Sequence, residues 1–164
     1  MKDISFHYTS EDMVKDLIAL LPLEKDDVCL DAGSGKNKVW FGKLPVVKTF
    51  AIVCEECEIE DGCDFYLWDE GRKVDWVIGN PPYHESWKFT EKALRVASKG
   101  VAWLLNNQAL NSHLTPARLQ RLHDAGWHYT KIHVVADKRW FGRYYFLILE
   151  KKTSDFIGWT KQTY

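Results

Sequence analysis

Asn80-Pro81-Pro82-Tyr83 is the run best suited to chemistry, and it follows directly on the apolar stretch 74–79. It offers one side-chain amide, two carbonyls that the prolines cannot pair with a neighbouring strand, and an aromatic face. That set suits a planar group carrying an exocyclic NH2. The Asn80 side-chain oxygen and the Pro81 carbonyl accept the two amino hydrogens, while Tyr83 stacks on the ring. The plainer reading is a pair of prolines that ends a buried strand. Average residue usage makes the tetrad a chance event in on the order of one chain in a thousand, which favours the chemical reading.

Upstream, the short run 27–31 breaks into Asp31-Ala32-Gly33-Ser34-Gly35. A strand ending in such a glycine turn lets the backbone approach a ligand closely, and the helix N-terminus after it favours an anionic group. A turn chosen only for its dihedrals has the same composition. The third glycine of a dinucleotide fingerprint is missing, and so is the Gly-Lys-Ser/Thr of a phosphate loop. Nicotinamide chemistry and nucleotide hydrolysis are therefore disfavoured. The glycine turn and the rigid tetrad both belong at the carboxyl edge of an open α/β sheet, where such sheets bind ligands.

Lys138-Arg139-Trp140-Phe141-Gly142-Arg143-Tyr144-Tyr145 sets three cations among four aromatics. The functional reading stacks Trp140 or Phe141 on a nucleic-acid base, with Lys138, Arg139 and Arg143 on phosphates. A wet, basic hairpin tip is the other. The formal net charge is −1, but residues 111–164 hold nine bases against four acids, whereas 54–75 hold nine acids against two bases. That balance argues against a protein that blankets a phosphate backbone and directs any polyanion to the C-terminal third.

Cys54, Cys57 and Cys63 have irregular spacing and lack the second half of a zinc pair, so no metal is expected. The four cysteines, Cys29 included, read as free thiols or metal ligands rather than as a disulfide framework, with Cys54 and Cys57 as small buried residues on or after the second strand. His7 and His84 flank the proposed site as positioning or solvent residues.

The elements that must hold these groups follow from length and periodicity. A chain of 164 residues, 46% hydrophobic and 27% charged, makes one compact domain with a core that needs no staple. Apolar segments alternate with helical ones from end to end, which is the α/β pattern. Helices are expected at 10–21, 36–42, 85–98 and 116–125. Strands are expected at 27–31, within 48–59, near 64–67, and at 74–79, 100–106, 129–136 and 144–150. Together they form a seven-stranded, mostly parallel sheet with a terminal antiparallel hairpin. The apolar runs fall far short of the roughly 18 residues that span a bilayer, and no signal-peptide core opens the chain. A cytoplasmic protein with no membrane partner is the expectation.

On these residues the chain resembles the S-adenosylmethionine-dependent N6-adenine DNA methyltransferases, whose amino-binding motif is Asn-Pro-Pro-Tyr. Within them it is most similar to compact phage-type enzymes, sharing Val74-Asp75-Trp76 ahead of Asn80 and an ending like Trp140-Phe141-Gly142-Arg143-Tyr144-Tyr145. The resemblance covers nearly the whole chain. It implies a Rossmann-like methyltransferase fold, one catalytic domain over 1–164 without a separate target-recognition domain, and S-adenosylmethionine as cofactor. Nucleic acid is the implied partner, DNA ahead of RNA, with a partner protein as a second source of target recognition.

Phe6-His7-Tyr8-Thr9-Ser10 is similar to the N-terminal motif that closes over the cofactor's methionine part, with Ser10 where the family has Pro. Asp31, Ala32, Gly33 and Gly35 resemble the cofactor glycine loop. Glu58, or failing it Glu55, resembles the acid that holds the ribose hydroxyls, and Asp64-Phe65 the pair that meets the cofactor's adenine. Asn80, Pro81, Pro82 and Tyr83 carry the transfer, with Asn80 also beside the cofactor and Tyr83 on the substrate base. The same tetrad serves enzymes acting on adenine in structured RNA and others acting on the amide nitrogen of protein glutamine. A catalytically idle subunit is the alternative outside the enzyme class.

Overall fold

The computed structural model describes residues 9–47, 53–136 and 143–160. Helix α1 (Glu11–Ala19) starts where the Ser10 hydroxyl accepts the Met13 amide hydrogen at 3.3 Å, and Glu11 and Asp12 favour its positive end. Its stripe of Met13, Val14, Leu17 and Ile18 is buried. There follow β1 (Val28–Ala32), α2 (Val39–Val47), β2 (Val53–Cys57), β3 (Val74–Gly79), α3 (Ser86–Val96), β4 (Ala97–Asn106), α4 (Asn107–His113), α5 (Pro116–Asp124), β5 (His128–Val135) and β6 (Tyr144–Glu150). Single 3-10 turns occupy Ile59–Asp61, Phe65–Leu67 and Tyr83–Glu85.

The strands form one sheet in the order β2-β1-β3-β4-β6-β5. β2, β1, β3 and β4 are parallel, and β6 runs antiparallel between β4 and β5. Helices cover both faces, which is why the central strands read as continuous apolar runs rather than alternating ones. On one face Leu30, Val77, Val101 and Leu147 pack with Ala93 of α3, Leu110 of α4 and Leu122 of α5. On the other, Cys29, Trp76, Ala102 and Phe146 pack with Leu17 and Ile18 of α1 and with Trp40 and Leu44 of α2. Neighbours in sequence thus fall on opposite faces, as the pleat requires.

Several expectations are corrected. Residues 64–67 form a 3-10 turn, not a strand. The Asp64 carboxylate accepts the Tyr66 amide hydrogen at 2.9 Å, and the amides of Leu67 and Trp68 return to the carbonyls of Asp64 and Phe65. Local bonds thus use the groups a strand would offer, and the described sheet has six strands rather than seven. Helix α2 begins later than expected, after a turn through Lys38 at φ 45, and continues to Val47, with Trp40 and Leu44 buried. β4 starts at Ala97, directly where α3 ends. The unanticipated α4 begins as β4 ends, its N-cap Asn106 accepting the Ala109 amide hydrogen at 2.9 Å. No described helix is long and apolar enough to cross a membrane.

Candidate active site

The carboxyl ends of β1, β2 and β3 open onto a cavity of about 700 Å³, within the range of about 300–1,000 Å³ typical of ligand pockets. Gly33 and Gly35 shape one wall at φ +71 and +67. The amides of Gly33 and Ser34 donate to the Cys57 carbonyl at 2.8 and 3.2 Å, and the Gly35 amide donates to the Glu58 carboxylate at 2.5 Å. The turn after β1 is thereby tied to the end of β2. Glu58 lies in the cavity wall, whereas Glu55 pairs with the Arg72 guanidinium and is not part of that wall. Thr9 also reaches the wall.

Asp31 and Ala32 are both 0% exposed and stand behind the wall rather than in it. One Asp31 oxygen accepts the Phe41 amide hydrogen at 3.0 Å, and the other has no partner. Burial lifts the Asp31 carboxyl to about 7, the Phe41 bond opposing and the Glu56 and Glu58 charges adding. Asp31 therefore holds α2 and the turn in place from within.

Asp64 and Phe65 also line the cavity. Phe65 packs on Phe89 with ring centroids 5.2 Å apart, and Tyr66 meets Phe89 edge-on, also at 5.2 Å. The Tyr66 hydroxyl donates to the Glu85 carboxylate at 3.2 Å, joining the turn after β2 to the turn after the tetrad. Burial first, then the Glu85 charge, raises this phenol to about 12. Cys57 and Cys63 line the same wall, joined as a disulfide with Cα atoms 5.2 Å apart. This corrects the expectation of free thiols. The intervening 3-10 turn folds the chain back so that the Cys63 amide donates to the Glu58 carbonyl at 3.0 Å, which brings the two side chains together.

The tetrad completes the site. Gly79, at φ +149, runs so close to β1 that a Cβ there would stand 2.9 Å from the Ala32 carbonyl oxygen. Asn80, Pro81, Pro82 and Tyr83 then enter the wall. The Asn80 side-chain oxygen is buried with no hydrogen-bond partner. Burial, with Tyr144 adding, holds the Tyr83 phenol far above its ordinary range, opposed by a hydrogen bond that the Asn80 side-chain NH2, not its orphaned oxygen, donates, and the ring leans on Tyr144 at 6.3 Å. Downstream, Ser86 opens α3 and is held by His113, whose Nε2 lies 3.2 Å from the Ser86 hydroxyl and whose Nδ1 lies 3.0 Å from the Tyr129 hydroxyl. Burial, with the Arg118 charge adding, keeps His113 down at about 3 and hence neutral.

His7, Tyr8, Lys138, Arg139, Trp140 and Phe141 lie outside the described residues. Arg143 is exposed just before β6 and His84 is exposed beside the tetrad; neither is part of the cavity wall. Sequence reasoning missed Trp40, Tyr66, Glu85 and Phe89, all of which line the cavity. Trp40 stacks on Phe146 at 5.6 Å, and its indole nitrogen is buried without a partner. Helical periodicity marks Phe89 as a core residue; no local signal marks the other three.

The parallel sheet with its terminal hairpin and this cavity define the Rossmann-like methyltransferase fold. A precorrin-6y C5,15-methyltransferase from Geobacter metallireducens superposes with a TM-score of 0.61 at 14% identity, over 91% of this chain and 92% of that one. M. capricolum TrmK, in complex with S-adenosyl-homocysteine, gives 0.60 at 10% identity over 93% and 73%. Magnesium protoporphyrin IX methyltransferase from Synechocystis, with bound SAM, gives 0.54 at 12% identity over 87% and 79%. No protein-family model and no curated protein matches the chain.

Proposed function

We propose that the protein transfers a methyl group from S-adenosylmethionine to the exocyclic N6 amino group of adenine in DNA. The carrying observation is the Asn80 side-chain oxygen: a buried acceptor without a partner, in the wall of a cavity at the carboxyl edge of the sheet. Leaving such a group unsatisfied costs about 1–3 kcal/mol, and an amino donor relieves it. The cavity's chemistry also fits the cofactor. The Glu58 carboxylate matches two neighbouring hydroxyls, and Phe65 and Phe89 offer apolar faces to a purine. When bound, the cofactor supplies an electrophilic methyl group on a sulfonium.

The chain's own residues orient the acceptor. The lone pair of an aromatic amine is delocalised into its ring. Hydrogen bonds from the NH2 to Asn80 and to the Pro81 carbonyl favour the tetrahedral nitrogen needed for in-line attack, and the proton leaves afterwards. Tyr83, kept as a neutral phenol and backed by Tyr144, stacks on the base. Lys138, Arg139 and Arg143 meet phosphates, with Trp140 or Phe141 against the flipped base.

The test is incubation of the purified chain with labelled S-adenosylmethionine and separate pools of duplex DNA, single-stranded DNA, transfer RNA and ribosomal RNA, followed by identification of the labelled nucleoside. N6-methyldeoxyadenosine is the expected product. Label in RNA alone moves the substrate to RNA, and no label in any pool makes the isolated chain an idle subunit or directs the search to protein amides.

A further inference from the structure

We propose that Cys57 and Cys63 are a reversible thiol–disulfide site in the cavity wall, oxidised by low-molecular-weight disulfides, whose state sets the affinity for S-adenosylmethionine; this rests on the cofactor reading above. Cys57 ends β2, is 1% exposed, and is held in register opposite Ala32. Its carbonyl accepts the amides of Gly33 and Ser34, and its sulfur is bonded to Cys63, with Cα atoms 5.2 Å apart, inside the range of about 4.4–6.8 Å for such bridges. Glu58 lies between the two cysteines, and Asp64 and Phe65 follow the second. One covalent bond therefore ties Asp64 and Phe65 to the end of β2, where the Gly35 and Glu60 amides hold the Glu58 carboxylate. The bridge closes a loop of only six residues' separation, and short loops gain least stability from a cross-link.

The sulfurs differ in access, which orders the exchange. Cys63 is partly exposed, whereas Cys57 is buried. The Cys63 thiolate attacks a small disulfide RSSR and expels one RS−. The Cys57 thiolate then attacks the Cys63 sulfur of the mixed disulfide and expels the second. Two electrons pass to the small disulfide, and the two cysteine protons end on the two RSH released; excess thiol reverses both steps. Glu58, Glu60 and Asp64 line the approach, so a neutral disulfide is the suitable oxidant.

Once the bond is cut, the sulfurs retreat to ordinary non-bonded contact, about 3.5–4 Å. Cys57 is locked by β1 and the glycine turn, so the displacement falls on Cys63 and carries Asp64 and Phe65 with it. The slot is preformed in the disulfide state and must be ordered on binding in the dithiol state, so the dithiol binds more weakly.

The full chain is titrated calorimetrically with S-adenosylhomocysteine, once in excess 2-mercaptoethanol and once in excess 2-hydroxyethyl disulfide, with peptide mass mapping of the cysteines. The expected result is loss of two hydrogens mapped to the Cys57–Cys63 pair and a dissociation constant roughly fivefold smaller in the disulfide state. The C57S/C63S variant gives the same dissociation constant in both buffers. Constants within about twofold in the unmutated chain, a pair that stays dithiol under oxidant, or a shift that persists in the double variant each overturn the proposal. Binding in neither buffer removes the cofactor reading and this one together, an outcome distinct from equal binding in both.

Discussion

The Gly35 amide hydrogen points at the Glu58 carboxylate, 2.5 Å from nitrogen to oxygen, and the second carboxylate oxygen accepts the Glu60 amide hydrogen at 3.3 Å. Glu58 is thus oriented by backbone donors from two segments before any ligand arrives, whereas Glu55 is turned to Arg72. Replacing Glu58 by Gln should weaken S-adenosylhomocysteine binding about tenfold or more, the loss of a charge-assisted contact. Replacing Glu55 by Gln should change it less than about twofold. Calorimetry on both variants decides; equal losses would place the ribose acid elsewhere.

Gly79 admits no side chain without moving β1, because the added Cβ meets the Ala32 carbonyl at 2.9 Å and an Asp31 oxygen at 3.2 Å. Gly79→Ala should lower unfolding stability by about 2–4 kcal/mol, read from urea denaturation. A loss below about 0.5 kcal/mol would mean the contact relaxes freely.

On the proposed reaction, Asn80→Ala removes an acceptor whose bonds would strengthen as the amine nitrogen becomes tetrahedral. Turnover should fall by about a hundredfold or more, while nucleic-acid affinity stays within about threefold. An unchanged rate constant on a verified substrate would exclude Asn80 from the chemistry.

Two buried groups give opposite pH signatures. His113, held down to about 3, binds fewer protons folded than unfolded, so its contribution is full above about 6.5 and is lost as pH falls toward 3. Asp31, lifted to about 7, binds more protons folded than unfolded, so its contribution is full below about 4 and is lost as pH rises through about 7. Asp31→Asn should therefore gain on the unmutated protein by about 1–3 kcal/mol between pH 5 and pH 8, and His113→Gln should lose less stability than it on acidification from pH 7 to pH 4. Urea midpoints across that range test both; a pH-independent difference for either variant would show that the residue does not titrate as described.

Nucleic-acid affinity should be weak and sensitive to salt. Lys138, Arg139 and Arg143 predict a slope of log affinity against log salt of about −2 on single-stranded DNA, with Arg139→Ala reducing its magnitude by about 0.7. Unpaired adenine should be methylated at least as well as paired adenine, because flipping costs a few kcal/mol. A slope steeper than about −5 with strong preference for one duplex sequence would require a second recognition surface.

The glycine turn and the tetrad were legible in the chain because each is a contiguous run whose backbone behaviour is local, and because apolar runs mark the strands that end in them. The helix-covered sheet followed from the same runs. Asp64 shows where this fails: a carboxylate bond to an amide two residues on outcompetes strand pairing, and the 64–67 segment becomes a turn. That Glu58 rather than Glu55 lines the cavity depended on where β2 stops and on Arg72, a partner from a later loop. Pairing of Cys57 with Cys63 depended on a left-handed Gly62 that closes the turn between them. Trp40, Tyr66, Glu85 and Phe89 come from α2, α3 and two separate 3-10 turns. They became neighbours only when the helices packed on the sheet, since side chains that meet through burial of a shared apolar surface need no fixed spacing along the chain.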